Sequence, residues 1–210
     1  MKLETIKEKT NNLLIFSKNH LKLLEKEPNN LNFNLKYWLK NKNIISLKNG
    51  TYIFKDAYEK EKDKDSYLEY IANQLQKPSY LSVEYVLAKY QIMTEPVRSL
   101  TSATLKRSRD YKNELGSWRY YNLPKKLFTG YSFKRYKNQD IAVASKAKAL
   151  FDFIYLRYRR GTVPKTENIE KLRLNLENLN KKDKKEFFSY FSLVSGKRWQ
   201  IIKEIMKNIC

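Results

Sequence analysis

A chain of 210 residues with 41% hydrophobic content has room for two small cores, and its single cysteine, Cys210, excludes an intramolecular disulfide and a four-thiolate metal site. Its 43 Lys and Arg stand against 22 Asp and Glu, a formal charge of +21 that draws polyanions, nucleic acid first among them. No run approaches the ~18 uninterrupted apolar residues of a membrane span, and Met1 to Glu8 lacks the apolar block of a secretory signal, so a cytoplasmic protein with no membrane partner is expected.

Abundant Lys, Asn, Ile and Tyr are what AT-rich codon usage yields, so the distribution of charge says more than the total. From Asn29 to Lys55 there are five Lys and no acid, and from Pro96 to Gln139 eleven Lys and Arg face only Asp110 and Glu114. Between them, Ala57 to Glu95 carries five basic and seven acidic residues. Codon bias alone does not segregate charge in this way.

In chain order, Leu3, Ile6, Leu13 and Leu14 keep a helical period, and Ser17 is placed to cap a second helix that buries Leu21 and Leu24 and stops before Pro28. A third helix is predicted from about Asn30 to Lys42, with Leu31, Leu35, Trp38 and Leu39 as its buried stripe. Its opposite face then shows Asn32, Asn34, Lys36, Tyr37, Lys40 and Asn41. Two β-prone runs, Ile44 to Leu47 and Thr51 to Phe54, bracket Lys48-Asn49-Gly50, where Asn49 and Gly50 both accept the positive φ of a type I′ hairpin turn. Three helices followed by a hairpin with a basic tip is the order of a winged helix-turn-helix, here over residues 1–56, in which the third helix enters the major groove of double-stranded operator DNA. On that reading Asn32, Asn34, Lys36, Tyr37 and Lys40 face bases, while Lys48, Asn49 and Gly50 meet phosphates. The alternative is a unit that packs against a partner protein.

Residues 57–65 alternate in charge and read as a linker or the solvated first turn of a helix. A helix is predicted over Tyr67 to Leu75, ended by Pro78, and another over Ser79 to Tyr90. Leu100 to Leu105 and Trp118 to Leu123 read as strands separated by a basic loop, Lys106 to Asn113, and a turn at Gly116; Leu127 to Tyr136 and Ile141 to Ala144 add further short strands. Ser145 caps a helix through about Arg157 that buries Ala149, Leu150, Phe153, Ile154 and Leu156 and is closed by Gly161. From Thr166 to Cys210 three helical pieces are predicted, carried by Leu172 to Leu179, Phe187 to Phe191 and Trp199 to Met206. The fold class is thus α+β: an N-terminal winged helix-turn-helix, then a mixed α/β domain over 66–210 with a helical C-terminal region.

The segments from Pro78 onward resemble the AbiEi family, the antitoxins of type IV abortive-infection toxin–antitoxin pairs. The likeness is carried by Pro78-Ser79-Tyr80-Leu81-Ser82-Val83-Glu84, Leu100-Thr101-Ser102-Ala103-Thr104 with Arg107 after it, Gly116 and Tyr120, Phe128-Thr129-Gly130-Tyr131, and Ile141 to Asp152. The N-terminal region matches only in pattern, and the region after Gly161 in helical character. The resemblance implies a phage-defence repressor that binds the promoter of its own operon with the first domain and counteracts a nucleotidyltransferase-like toxin, encoded by a neighbouring gene, with the second.

Catalytic constellations are missing from the sequence: His20 is the only histidine, and no Ser/His/Asp arrangement, Walker loop, HExxH or paired carboxylates occur. No enzyme, cofactor or metal is expected. A metal-dependent nuclease assembled from the scattered acids Asp110, Glu114, Asp140 and Asp152 stays open. A second reading is an RNA-binding or scaffold module in which Trp118, Tyr120, Tyr121 and Phe128 stack on bases. The basic residues Lys106, Arg107, Arg109 and Lys112, with Arg119, Lys125 and Lys126, have three open roles: simple solvation, an auxiliary DNA contact, or engagement of an acidic partner such as the toxin.

Overall fold

A computed structural model describes residues 3–10 and 13–210. Helices and strands are mixed along the chain, which divides into two units, Met1–Ile71 with Tyr111–Gly116, and Ala72–Asp110 with Ser117–Cys210. Among the described residues, no helix is long and apolar enough to cross a membrane.

The first unit runs α1 (Leu3–Lys9), β1 (Phe16–Ser17), α2 (Lys18–Lys22), α3 (Pro28–Lys40), β2 (Ile44–Lys48), β3 (Thr51–Phe54) and α4 (Lys55–Glu59), and α5 (Lys64–Leu75) spans the boundary to the second. Helix α1 is shorter than its period suggests and ends at Lys9, with the Thr10 hydroxyl and amide both donating to the Ile6 carbonyl. Leu13 and Leu14 therefore lie outside it, and Leu13 is exposed. Ser17 does cap α2: its Oγ accepts from the His20 N–H at 3.2 Å, while His20 Nδ1 accepts from the Ser17 N–H at 3.3 Å. The exposed His20 thus has a local structural task. Leu21 is buried, but Leu24 lies beyond the helix end and is half-buried.

Helix α3 starts with Pro28 at its first position, where the missing N–H costs nothing, and buries Leu31, Leu35 and Trp38. Leu39, expected in that stripe, is 36% exposed at its flank. Strand β1, too short to leave a sequence pattern, pairs with β3, giving a sheet of order β1-β3-β2. At the hairpin tip Gly50 has φ 71°, whereas Asn49 does not enter the left-handed region, so the turn is not type I′. An extra residue, Leu47, is inserted between the pairs Ser46–Tyr52 and Lys48–Thr51, and such a bulge supplies the added twist that a type I′ turn would have provided. The core gathers Ile6, Phe16, Leu21, Leu31, Leu35, Trp38, Ile44, Tyr52 and Phe54, with the Phe16 and Phe54 ring centroids 4.6 Å apart. Residues 57–65 resolve into the end of α4, a short turn and the start of α5.

The second unit continues with β4 (Ser79–Leu81), α6 (Val83–Lys89), β5 (Ser99–Thr104), β6 (Arg109–Asn113), β7 (Gly116–Asn122), β8 (Tyr131–Tyr136), β9 (Gln139–Ala144), α7 (Lys146–Tyr158), α8 (Thr166–Glu170), α9 (Lys181–Ser189) and α10 (Lys197–Ile209). The sheet order is β6-β7-β5-β4-β9-β8, with the tip of the β6–β7 hairpin grouped with the first unit. Ser79–Leu81 is a central strand and not the start of a helix: it pairs antiparallel with β5 and parallel with β9, all three residues are buried, and α6 begins only at Val83. The larger part of the expected basic loop is likewise a strand, β6, on the sheet edge, where charged side chains discourage further pairing. Ser145 caps α7, its Oγ accepting from the Lys148 N–H at 3.0 Å. Beyond it, Leu172 and Leu174 are not helical; Leu174 bridges Met93, and only α8, α9, α10 and two short 3-10 turns, Leu176–Asn178 and Tyr190–Leu193, continue the chain.

Candidate functional site

The outward face of α3 follows from the inward one. With Leu31, Leu35 and Trp38 buried, the 100° step per residue turns Phe33, Lys36, Tyr37 and Lys40 to the opposite side, and all four are exposed. Of the residues assigned to this face from sequence, Lys36, Tyr37 and Lys40 are there, Asn32 is exposed with its Oδ1 accepting from Lys18 Nζ at 2.6 Å, and Asn34 is half-buried at the margin. Phe33, 70% exposed at the centre of the face, was not singled out from sequence, because an isolated apolar residue off the stripe carries no period.

Lys18 is the other residue that sequence reasoning passed over. It is the first residue of α2, where the helix dipole disfavours a cation, and that mismatch was the available signal. Its side chain reaches Asn32 of α3, and its N–H donates to the Gly50 carbonyl at 2.8 Å. One lysine therefore joins the start of α2, the face of α3 and the hairpin tip. At that tip Asn49 is exposed and Lys48 is half-buried, with Nζ 5.8 Å from the centroid of the Tyr111 ring. The last carboxylates before α3 are Glu25 and Glu27, and none follows until Asp56.

In the second unit, the basic residues proposed from sequence do not form one loop. Lys106, Arg107 and Arg109 are exposed; the carbonyls of Leu105 and Lys106 accept from Asn122 Nδ2, and the Arg107 carbonyl accepts from Gln76 Nε2 at 2.9 Å. Lys125 and Lys126 are exposed on the 3-10 turn just after Asn122, whose own carbonyl accepts from Arg159 at 2.9 Å. Arg119 is engaged with Asp110 at 3.2 Å, and Lys112 belongs to the hairpin tip grouped with the first unit. Trp118 and Tyr120 are fully buried, which removes them as a stacking platform; Tyr121 and Phe128 are half-buried.

No protein-family model matches this chain, and no curated protein does.

A buried charged pair in the second unit includes an acid that sequence reasoning read as scattered. Asp152 is fully buried, paired with the equally buried Lys148 one turn earlier on α7, and accepts from the hydroxyls of Tyr80 at 2.9 Å and Ser82 at 2.8 Å. The Lys148 ammonium lies 5.4–5.8 Å from the centroids of Tyr80, Phe151 and Tyr190. Burial pushes the Asp152 carboxyl up and the Lys148 ammonium down in pKa, against their mutual attraction. Around them, Glu186 Oε1 accepts from Ser145 and Tyr190, each at 2.6 Å. The other acids are dispersed, Asp110 to Arg119 and Asp140 to Arg135, and among the described residues no three potential ligands gather to hold a metal.

Proposed function

We propose that the first unit is a winged helix that binds double-stranded DNA through α3, in a regulator that acts as the antitoxin of a nucleotidyltransferase-like toxin. One observation carries the DNA reading: the solvent face of α3 holds exposed Lys36 and Lys40 and no carboxylate, beside a hairpin to which it is tied through Lys18. Long-range attraction to phosphate and short-range access to a groove then coincide on one helix. The order of elements, with β1 between α1 and α2 and a sheet ordered β1-β3-β2, is consistent with a helix-turn-helix followed by a wing. Gel shift with the full chain on a 24-bp duplex tests this. Lys36→Ala with Lys40→Ala should weaken binding, leave Tm unchanged and lower the magnitude of the log–log salt slope by about 2; unaltered binding overturns it.

The antitoxin half rests on the AbiEi resemblance. It is supported by the way the residues that carry the likeness, Tyr80, Ser82, Gly130, Ser145, Lys148 and Asp152, converge on one buried network. Co-expression with a nucleotidyltransferase reading frame adjacent to this gene should restore growth. Failure of rescue by a folded full-length chain removes the antitoxin role and leaves the DNA reading standing.

A further inference from the structure

We infer that α3 selects A·T-rich duplex by packing Phe33 and Tyr37 on thymine methyl groups; this rests on the DNA-binding reading above. Phe33 is 70% and Tyr37 56% exposed, and their i, i+4 spacing puts both rings in one apolar strip on the outward face. On the 100° wheel Lys36 and Lys40 flank the strip on one side, and Asn30 and Asn34 flank it on the other.

A polyanion satisfies the lysines but leaves the rings in water unless it also offers apolar surface. In the major groove that surface is the thymine C5-methyl, the one apolar group that base edges present there. The flanking amides fit the same base pairs, since Asn can pair bidentately with adenine N6 and N7. Cation, amide and ring thus agree on one kind of sequence. An acidic partner protein is the competing occupant, and the experiment separates the two.

The full chain is titrated with a 24-bp duplex of alternating A and T, with the same duplex carrying deoxyuridine in place of thymidine, and with an alternating G·C duplex of equal length. The unmodified A·T duplex should bind more tightly than its uridine counterpart by about fourfold per methyl contacted, and more tightly than G·C. Phe33→Ala with Tyr37→Ala should bind both A·T duplexes at the uridine level, with unchanged Tm, while either single variant keeps part of the preference. Equal binding of the thymidine and uridine duplexes by the unaltered chain overturns the inference and spares the DNA reading; absence of binding to any duplex overturns both. A thymidine preference that survives loss of both rings means that the strip does not read the methyl groups and also overturns the inference.

Discussion

Lys148 and Asp152 meet one turn apart on α7 with neither side chain reaching solvent. Desolvating two charges costs several kcal/mol each, offset by mutual attraction, by the Tyr80 and Ser82 hydroxyls on the carboxylate and by the three rings around the ammonium. Removing one partner is therefore far worse than removing both. Lys148→Met should cost about 3–5 kcal/mol in urea unfolding at pH 7. Lys148→Met with Asp152→Asn should recover most of that, because the amide oxygen still accepts from both hydroxyls without a charge. Equal losses in the single and double variants would mean that the pair's charges are not what the site must balance.

The same single variant has a signed pH dependence. Burial already raises the Asp152 pKa, and without Lys148 only the hydrogen bonds from Ser82 and Tyr80 oppose that rise. The folded state of Lys148→Met then holds a proton that the unfolded chain, with Asp near 3.9, releases, so stability increases as pH falls. Its deficit relative to the unaltered protein should narrow between pH 7 and pH 5. A deficit constant across that range points to lost packing alone.

Gly130 shows how closely the network is packed. It has φ 75°, and a Cβ there would fall on the Tyr190 hydroxyl and stand 2.9 Å from Lys148 Cδ. Gly130→Ala should lose about 2–4 kcal/mol from backbone strain and overpacking together. Adding Tyr190→Phe should return part of this by removing the obstructing oxygen. Thermal unfolding of the two variants decides it.

Arg107 and Arg109 lie exposed, whereas Arg119 is paired with Asp110. Arg107→Glu with Arg109→Glu should change Tm little, since exposed charges contribute less than about 1 kcal/mol, yet abolish growth rescue if this edge steers an acidic toxin surface. Arg119→Ala should rescue normally. Rescue by the Glu variant reduces the basic edge to a solvated surface.

Much of α3 was legible because a strong apolar period over three turns leaves one solution for what faces in. Strand β4 was not: Ser79, Tyr80 and Leu81 form a run buried on both faces, which has no period of its own and is fixed only by pairing with β5 and β9. Strand β1 has two residues, below any pattern length, and exists through the partners Tyr52 and Thr51. Lys148 and Asp152 at i, i+4 read equally well as a solvated surface pair; only the helix's burial on all sides makes them a core feature. Phe33 stood outside every apolar pattern, and its exposure is meaningful only once the buried side of α3 is known.

The first unit is not one uninterrupted stretch of chain, for Tyr111–Gly116 completes it, with Asn113 Nδ2 donating to the Leu47 carbonyl at 3.2 Å and Tyr111 under Lys48. On the ribosome, where elongation runs at about 5–20 residues per second, the hairpin strand that carries Leu47 waits several seconds for this segment to emerge. A protease cut or stop codon between Leu75 and Tyr111 thus releases a fragment that keeps every helix of the first unit but whose hairpin lacks its brace.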